Sequence, residues 1–385
     1  MPVPIPQMAT LELFPQLTRG QIEAARTSSW LDTFEDITFP STIIDLEELG
    51  EAEEFLRWIE ADSIFLPEGS EGRFHTQTLN STQQPVTRQR PNSNASYSSS
   101  SSSSSSTSEA PIYNLPKLNA AIREVLEKYD GAVFPKLNWT APKDAAFILP
   151  QTASGPLHCT SPSDVYLLLK SSDFISHDLD PERAYSGCEE HSMADSNQPK
   201  LELVLKRFEE VIPSREIRCF VRNNILIGIT QRDNVFYDHL QSEETRIKIS
   251  DTVRAFWEDE IRENYTGRDD YIFDLYLSPN LSSAKIIDFQ PYRLSVDSLL
   301  FTYEELLSIL ETSLEPISSP GQDTKQDRLP IFKIIDCKSH PSVSRNAPTY
   351  QSNMMPLEMI ELSQGRSMEE FKDAWDQAVA QGMTS

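Results

Sequence analysis

An uninterrupted serine run from Ser98 to Ser106 lies inside a longer stretch, Gly69 to Pro111, built of Ser, Thr, Gln, Asn and Pro with few large apolar residues. Such a stretch cannot bury enough surface to offset the entropy lost on ordering, so it is expected to be a disordered insert. Before it stands a segment carrying Trp30, Phe34, Ile43, Ile44, Phe55, Leu56, Trp58, Ile64 and Phe65, which must pack on something. The insert therefore interrupts a folded unit instead of ending one. Two further polar stretches, Asp178 to Pro199 and Ser318 to Arg328, read as long loops.

Between these inserts, helical and extended patterns alternate. Helices are expected near Lys117 to Tyr129, Asp164 to Lys170 and Glu244 to Tyr265. Strands are expected near Ala132 to Lys136, Leu201 to Phe208, EIRCFV, ILIGITQ, YIFDLYLS and AKIIDFQ. Asn223-Asn224 marks a hairpin turn because Asn tolerates positive φ. Thr302 with Glu305, and Ser367 with Glu370, have the spacing of capping boxes. The fold class is α+β with largely antiparallel sheet.

The net charge of -25, from 34 basic and 59 acidic side chains, argues against a nucleic-acid partner held by a general basic surface. Cys159, Cys188, Cys219 and Cys337 form no CxxC pair, and the six histidines do not cluster, so neither a zinc site nor a disulfide framework is indicated. No stretch of about 18 apolar residues is present, so no membrane span is expected and a cytoplasmic protein is. Walker A, the dinucleotide fingerprint and a nucleophile elbow are all absent.

Asp274 in YIFDLYLS and Asp288 in AKIIDFQPY carry the sharpest chemical signal. A hairpin centred near Leu281 sets them opposite each other, with Cβ atoms about 5 Å apart. Facing carboxylates repel, and a hard divalent cation relieves the repulsion. Gln290 projects from the same face as Asp288 and offers a carbonyl oxygen. A register shifted by one residue would instead send one aspartate to the solvated face. Lys136 ends the run AVFPK and either meets an anion or is simply solvated. Arg218 within EIRCFV and Arg232 after ILIGITQ call for an anionic ligand or a carboxylate partner. An ideal two-residue turn pairs Arg218 with Ile229 and puts the arginines on opposite faces, so a common ligand requires a bulge or a strand that ends before Arg232. Trp139 either roofs a purine ring or fills core.

The segments GAVFPKLNWTAPKDAAFI, LLLKSSDFI, LELVLKRFEEVIP, EIRCFV with IGITQRD, FDLY, and IDFQPYRLSVDSLLFTYEEL closely resemble the cell-division-cycle-123 family of eukaryotic proteins. Outlying SSWLDTFEDITFPSTIIDL and PLEMIELSQG are similar to the family's terminal segments, and the serine run suggests a fungal version. The resemblance implies an ATP-grasp fold of two lobes enclosing a nucleotide cleft, with ATP and Mg²⁺ bound. It also implies a role as assembly factor for eukaryotic translation initiation factor 2. The partner implied is the gamma subunit, and the protein is expected to be a monomer. Residue by residue, Lys136 would touch phosphates and Trp139, Ala141 and Lys143 would lie along the nucleotide. Lys206 and Arg207 would supply the hinge edge facing adenine, and Arg218 and Arg232 would meet phosphate oxygens. Asp274, Asp288 and Gln290 would hold the metal, Gln290 standing where the family generally has Asn. The implied division runs 1–68 as a segment packed on the core, 69–111 as the insert, 112–205 and 206–317 as the two lobes, and 318–385 packing back.

Two functional classes fit these residues: an ATP-dependent assembly chaperone, or a ligase or kinase-like enzyme transferring phosphoryl to an acceptor. No acceptor-binding signature accompanies the metal site. Acidic outlying segments such as DLEELGEAEEF suggest a docking surface that includes Glu51, Glu53 and Glu54.

Overall fold

In the computed structural model, residues 11–63, 65–71, 112–147, 149, 155, 157–188, 200–315 and 329–343 are described. Most of the serine-rich insert and the Ser367/Glu370 capping box lie outside them. Gly69 and Ser70, which open the polar stretch, are tied down: the Gly69 carbonyl accepts from Arg123, and the Ser70 carbonyl from the Ser163 amide.

Two sheets organise the chain. The smaller has three antiparallel strands in the order β1-β3-β2, with β1 at Ser41–Asp45, β2 at Val133–Lys136 and β3 at Glu202–Arg207. Alternation sends Val133, Leu203 and Leu205 to one face, where they pack with Phe55, Trp58, Leu118, Ile122, Val165 and Leu169. Those six belong to the helices Ala52–Glu60, Pro116–Lys128 and Pro162–Lys170. Phe134, Lys136, Val204 and Lys206 take the other face, since Phe134 pairs with Lys206 and Lys136 with Val204.

The larger sheet runs β7-β6-β4-β5-β8, with β4 at Glu216–Arg222, β5 at Ile225–Gln231, β6 at Tyr271–Leu277, β7 at Ala284–Pro291 and β8 at Ile331–Lys333. Its pairings are antiparallel except β5 with β8. Asn223 and Asn224 make the expected turn, both at positive φ (53° and 55°). One face, with Ile217, Cys219, Ile229, Phe273 and Phe289, packs on Ile249 and Val253 of the helix Glu243–Phe256 and on Trp30 and Phe34. The other carries Phe220, Ile227 and Ile272 beneath Leu306 and Leu310 of the helix Tyr303–Leu314. Gly228 gives a close approach there: a Cβ would stand 3.1 Å from the Phe301 ring, which would have to give by a few tenths of an ångström.

Several expectations are corrected locally. The helix expected to run on to Tyr265 gives way to a π-helical turn at Trp257–Ile261. The stretch from Asp178, expected as loop, begins within two single-turn helices, Ser176–Leu179 and Pro181–Ala184, before passing beyond the described residues. The Thr302/Glu305 capping box forms in both directions. Glu51 is buried and accepts from the Lys117 and Leu118 amides at 3.0 and 2.8 Å, so it caps the helix Pro116–Lys128 instead of offering an acidic surface. Glu54 is occupied with Arg57 and the Asn114 amide.

Candidate functional site

The hairpin between β6 and β7 begins in the register that would separate the two aspartates. Leu277 faces Ala284, Tyr276 faces Lys285 and Leu275 faces Ile286. A bulge at Ile287 then shifts the ladder, and Asp274 comes to face Asp288. Without that extra residue Asp288 would share the apolar face with Ile286. The bulge is held from the other sheet: Lys206 Nζ donates to the Ile287 carbonyl at 2.6 Å.

A second bulge, at Ile227, does the same for the arginines. Arg222 pairs with Ile225 and Val221 with Leu226, but Phe220 pairs with Gly228 and Arg218 with Thr230. Arg218, opposite Asp274 across β4 and β6, grips it with Nε to Oδ1 at 2.8 Å and Nη2 to Oδ2 at 2.9 Å. Arg232 joins from beyond the strand end, its Nε 3.0 Å from Asp274 Oδ2 in an ion pair and its Nη1 donating to Glu216 Oε2 at 3.0 Å. Burial alone would raise the Asp274 carboxyl, but Arg218 and Arg232 outweigh it and hold the group well below the usual carboxylate range.

Asp288 has a different counterion. Lys136, 1 % exposed at the end of β2, donates from Nζ to Asp288 Oδ2 at 2.6 Å, across 152 residues of sequence. Beside it, burial pushes the Lys206 ammonium down to about 7, with Lys136 and Lys143 adding to the fall and Asp288 opposing it. Lys143 reaches in from the loop after β2, its Nζ 4.0 Å from Glu216 Oε2. Five cations thus converge on three carboxylates, a local positive surplus in a chain of net charge -25.

The remaining sequence candidates are placed less centrally. Gln290 faces Ile272, half-buried, on the Asp288 side of β7. Arg207 follows Lys206 on the opposite face of β3, pairs with Val133, and bonds Glu209. Trp139 has its ring edge-on to His177 and Tyr185 and donates from Nε1 to the Ile22 carbonyl at 2.9 Å, so part of its surface is core. Ala141 is half-buried beside Lys143, whose amide donates to its carbonyl at 2.8 Å. Glu216 was not singled out from sequence, although it stands two residues before Arg218 in EIRCFV, where strand alternation puts both on one face. The Asp297 carbonyl, which accepts from Arg218 Nη1 at 2.7 Å, had no sequence signal.

Asp274, Asp288 and Gln290 form a hard-oxygen donor set on one sheet face, a chemistry that suits a divalent cation. The carboxylates are presently countered by Arg218, Arg232 and Lys136. The repulsion expected between them is therefore already answered by cations of the protein, and a metal would have to share or displace these partners.

The D123 family model matches residues 30–363, which include every strand of both sheets and every charged residue of this cluster. This chain belongs to the D123 family. A translation initiation factor eIF2 assembly protein from Botryotinia fuckeliana is 30% identical over 384 residues, spanning 94% of this chain and 88% of the relative. A protein of the same name from Xenopus laevis is 37% identical over 264 residues, spanning 67% of this chain and 71% of its own. The structure of Cdc123 from Schizosaccharomyces pombe superposes with a TM-score of 0.59 at 26% identity, covering 83% of this chain and 98% of that one. The family expectation from the sequence motifs and the mixed α+β class both hold for this D123 member. Among the described residues no helix is long and apolar enough to cross a membrane.

Proposed function

We propose that this chain is an assembly factor for eukaryotic translation initiation factor 2, that it binds the gamma subunit, and that it does so with Mg-ATP held between its two sheets in an ATP-grasp arrangement. The observation that carries the nucleotide half is the convergence of Lys136, Lys143, Lys206, Arg218 and Arg232 from both sheets, with more positive than negative charge in a strongly acidic protein. Such a surplus favours a polyanion, and phosphate oxygens accept from Lys and Arg in the geometry these side chains already use. The assembly half rests on the names of the relatives, which this chain matches over most of its length.

Lys136 would exchange the Asp288 carboxylate for a phosphate oxygen, releasing Oδ2. Arg232 and Lys143, at the open side of the cluster, would follow the same exchange, while Arg218 stays on Asp274 and fixes its orientation. A magnesium ion held by Asp274, Asp288 and Gln290 would neutralise phosphate charge and draw the sheets together. Lys206 keeps the Ile287 bulge in place and so keeps Asp288 on the site face.

The test is a pull-down of the purified gamma subunit with and without Mg-ATP, run beside a search for ADP and for phosphorylated or ligated product. Nucleotide-dependent capture without product is the expected result. Capture that ignores nucleotide removes the role given to the cluster, and stoichiometric product formation replaces the chaperone reading with a transferase.

A further inference from the structure

Asp178 is fully buried and has four donors. Its Oδ2 accepts from the Trp139 and Thr140 amides, each at 2.9 Å, and its Oδ1 from Thr140 Oγ1 at 2.6 Å and His177 Nδ1 at 2.8 Å. A carboxylate can only accept, so Nδ1 carries a proton. On the other side of the ring, Nε2 lies 2.8 Å from Arg293 Nη2. A guanidinium can only donate, so Nε2 must present its lone pair. The neutral imidazole with its proton on Nδ1 is the one form that satisfies both neighbours. Arg293 is fixed in turn by Nη1 to the Ala184 carbonyl at 3.0 Å.

These bonds join two segments of the candidate site. Trp139 and Thr140 follow Lys136 in the loop after β2, and Arg293 follows Asp288 and Gln290 just past the end of β7. Lys136 and Asp288 tie the same two segments together a few residues away. We propose that His177 and Arg293 are positioning residues: with Asp178 they form a neutral-imidazole strap that holds the 137–143 loop against the end of β7, and so keeps the two sides of the phosphate site in register when Lys136 leaves Asp288 for a ligand. The consequence for ligand affinity rests on the nucleotide reading above; the strap itself does not.

The groups facing His177 are Asp178, Arg293, the Thr140 hydroxyl at 3.4 Å and the edge-on Trp139 ring. Asp180, Glu182 and Arg183 line the same groove as His177 and Arg293.

Hydrogen exchange at the Trp139 and Thr140 amides, corrected for intrinsic rate, reads the strap without any ligand. The Arg293→Met variant should lose about tenfold protection at both amides, and Arg293→Lys, which keeps a donor, should recover most of it. Mg-ATP affinity should follow the same order, with about a tenfold loss in Arg293→Met and recovery in Arg293→Lys. Unchanged protection in Arg293→Met, or no recovery in Arg293→Lys, overturns the strap. Protection that responds as stated in a protein that binds no Mg-ATP keeps the strap and sinks the nucleotide reading instead.

Discussion

The two sheets bring opposite kinds of cation to the same place. The three-stranded sheet contributes lysines, Lys136 and Lys206, whose partners lie on the other sheet. The five-stranded sheet contributes arginines, Arg218 and Arg232, bound to Asp274 and Glu216 of their own sheet. A planar guanidinium in a two-pronged pair is a fixed structural part. A compact ammonium on a flexible stem gives up one acceptor for another easily and titrates when desolvated. The large sheet is thus the preorganised side of the site and the small sheet the adaptable side.

The strongest way to break this comparison is to remove the fixed pair's anion. Asp274→Ala leaves Arg218 and part of Arg232 buried without a counterion and should cost about 3–5 kcal/mol in chemical denaturation. A loss below about 1 kcal/mol would mean that the arginine pair is not a structural part. The pH dependence follows the same logic. The folded-state Asp274 carboxyl is held below its ordinary range, so its contribution is present above about pH 4 and is lost as pH falls further. The acid limb of the wild-type stability curve should be shallower in Asp274→Ala.

On the adaptable side, Asp288→Ala should cost less, about 1–3 kcal/mol, because a single ammonium on a flexible stem is left without its partner. Two facing carboxylates with no other partner would make deleting one of them relieve strain. The Lys136 contact reverses that sign. Mg-ATP affinity, read by calorimetry, should be lost in the same variant, and undiminished affinity would remove Asp288 from the metal set.

Lys206 sharpens the difference through protons. Burial pushes it down to about 7, so it is largely uncharged a unit above that. A polyphosphate nearby favours the ammonium and raises its pKa again. Burial likewise pushes the Lys143 ammonium down to about 8, so binding at about pH 8 should take up protons at both lysines, and the uptake should fall in Lys206→Met to the share of Lys143. Calorimetry in buffers of different ionisation enthalpy measures it, and uptake undiminished in the variant would assign the proton elsewhere. The smallest expected effect is at Arg207, on the far face of β3. Arg207→Gln should change stability by less than about 0.5 kcal/mol and Mg-ATP affinity by less than about twofold. A larger loss would show that the strand's other face also serves the ligand.

An acidic docking surface at Glu51, Glu53 and Glu54 was the natural suggestion of DLEELGEAEEF. Glu51 instead closes a helix start on which the small sheet depends, so reversing all three charges would unfold that region before it tested docking. Charge density in a sequence does not reveal which carboxylate is spent on a backbone amide.

Local chemistry was enough for the elements themselves. Two asparagines with positive φ close the β4–β5 hairpin, Thr302 with Glu305 starts its helix, and alternation within EIRCFV and YIFDLYLS separates an apolar face from a charged one. The closing of β6 on β7 as a hairpin carrying both aspartates was also legible, because only a short polar segment separates the two strands. What decides the chemistry was not. The bulges at Ile287 and Ile227 reassign faces, yet no residue type there announces them. Strand β1 pairs with β3 across 157 to 165 residues of sequence, and Lys136 finds Asp288 only because the two sheets pack against each other. Hydrophobic periodicity and turn residues act over a few positions, so the sequence by itself determines elements and hairpins. Which buried charge meets which depends on where separate elements come to rest, and only the tertiary structure settles that.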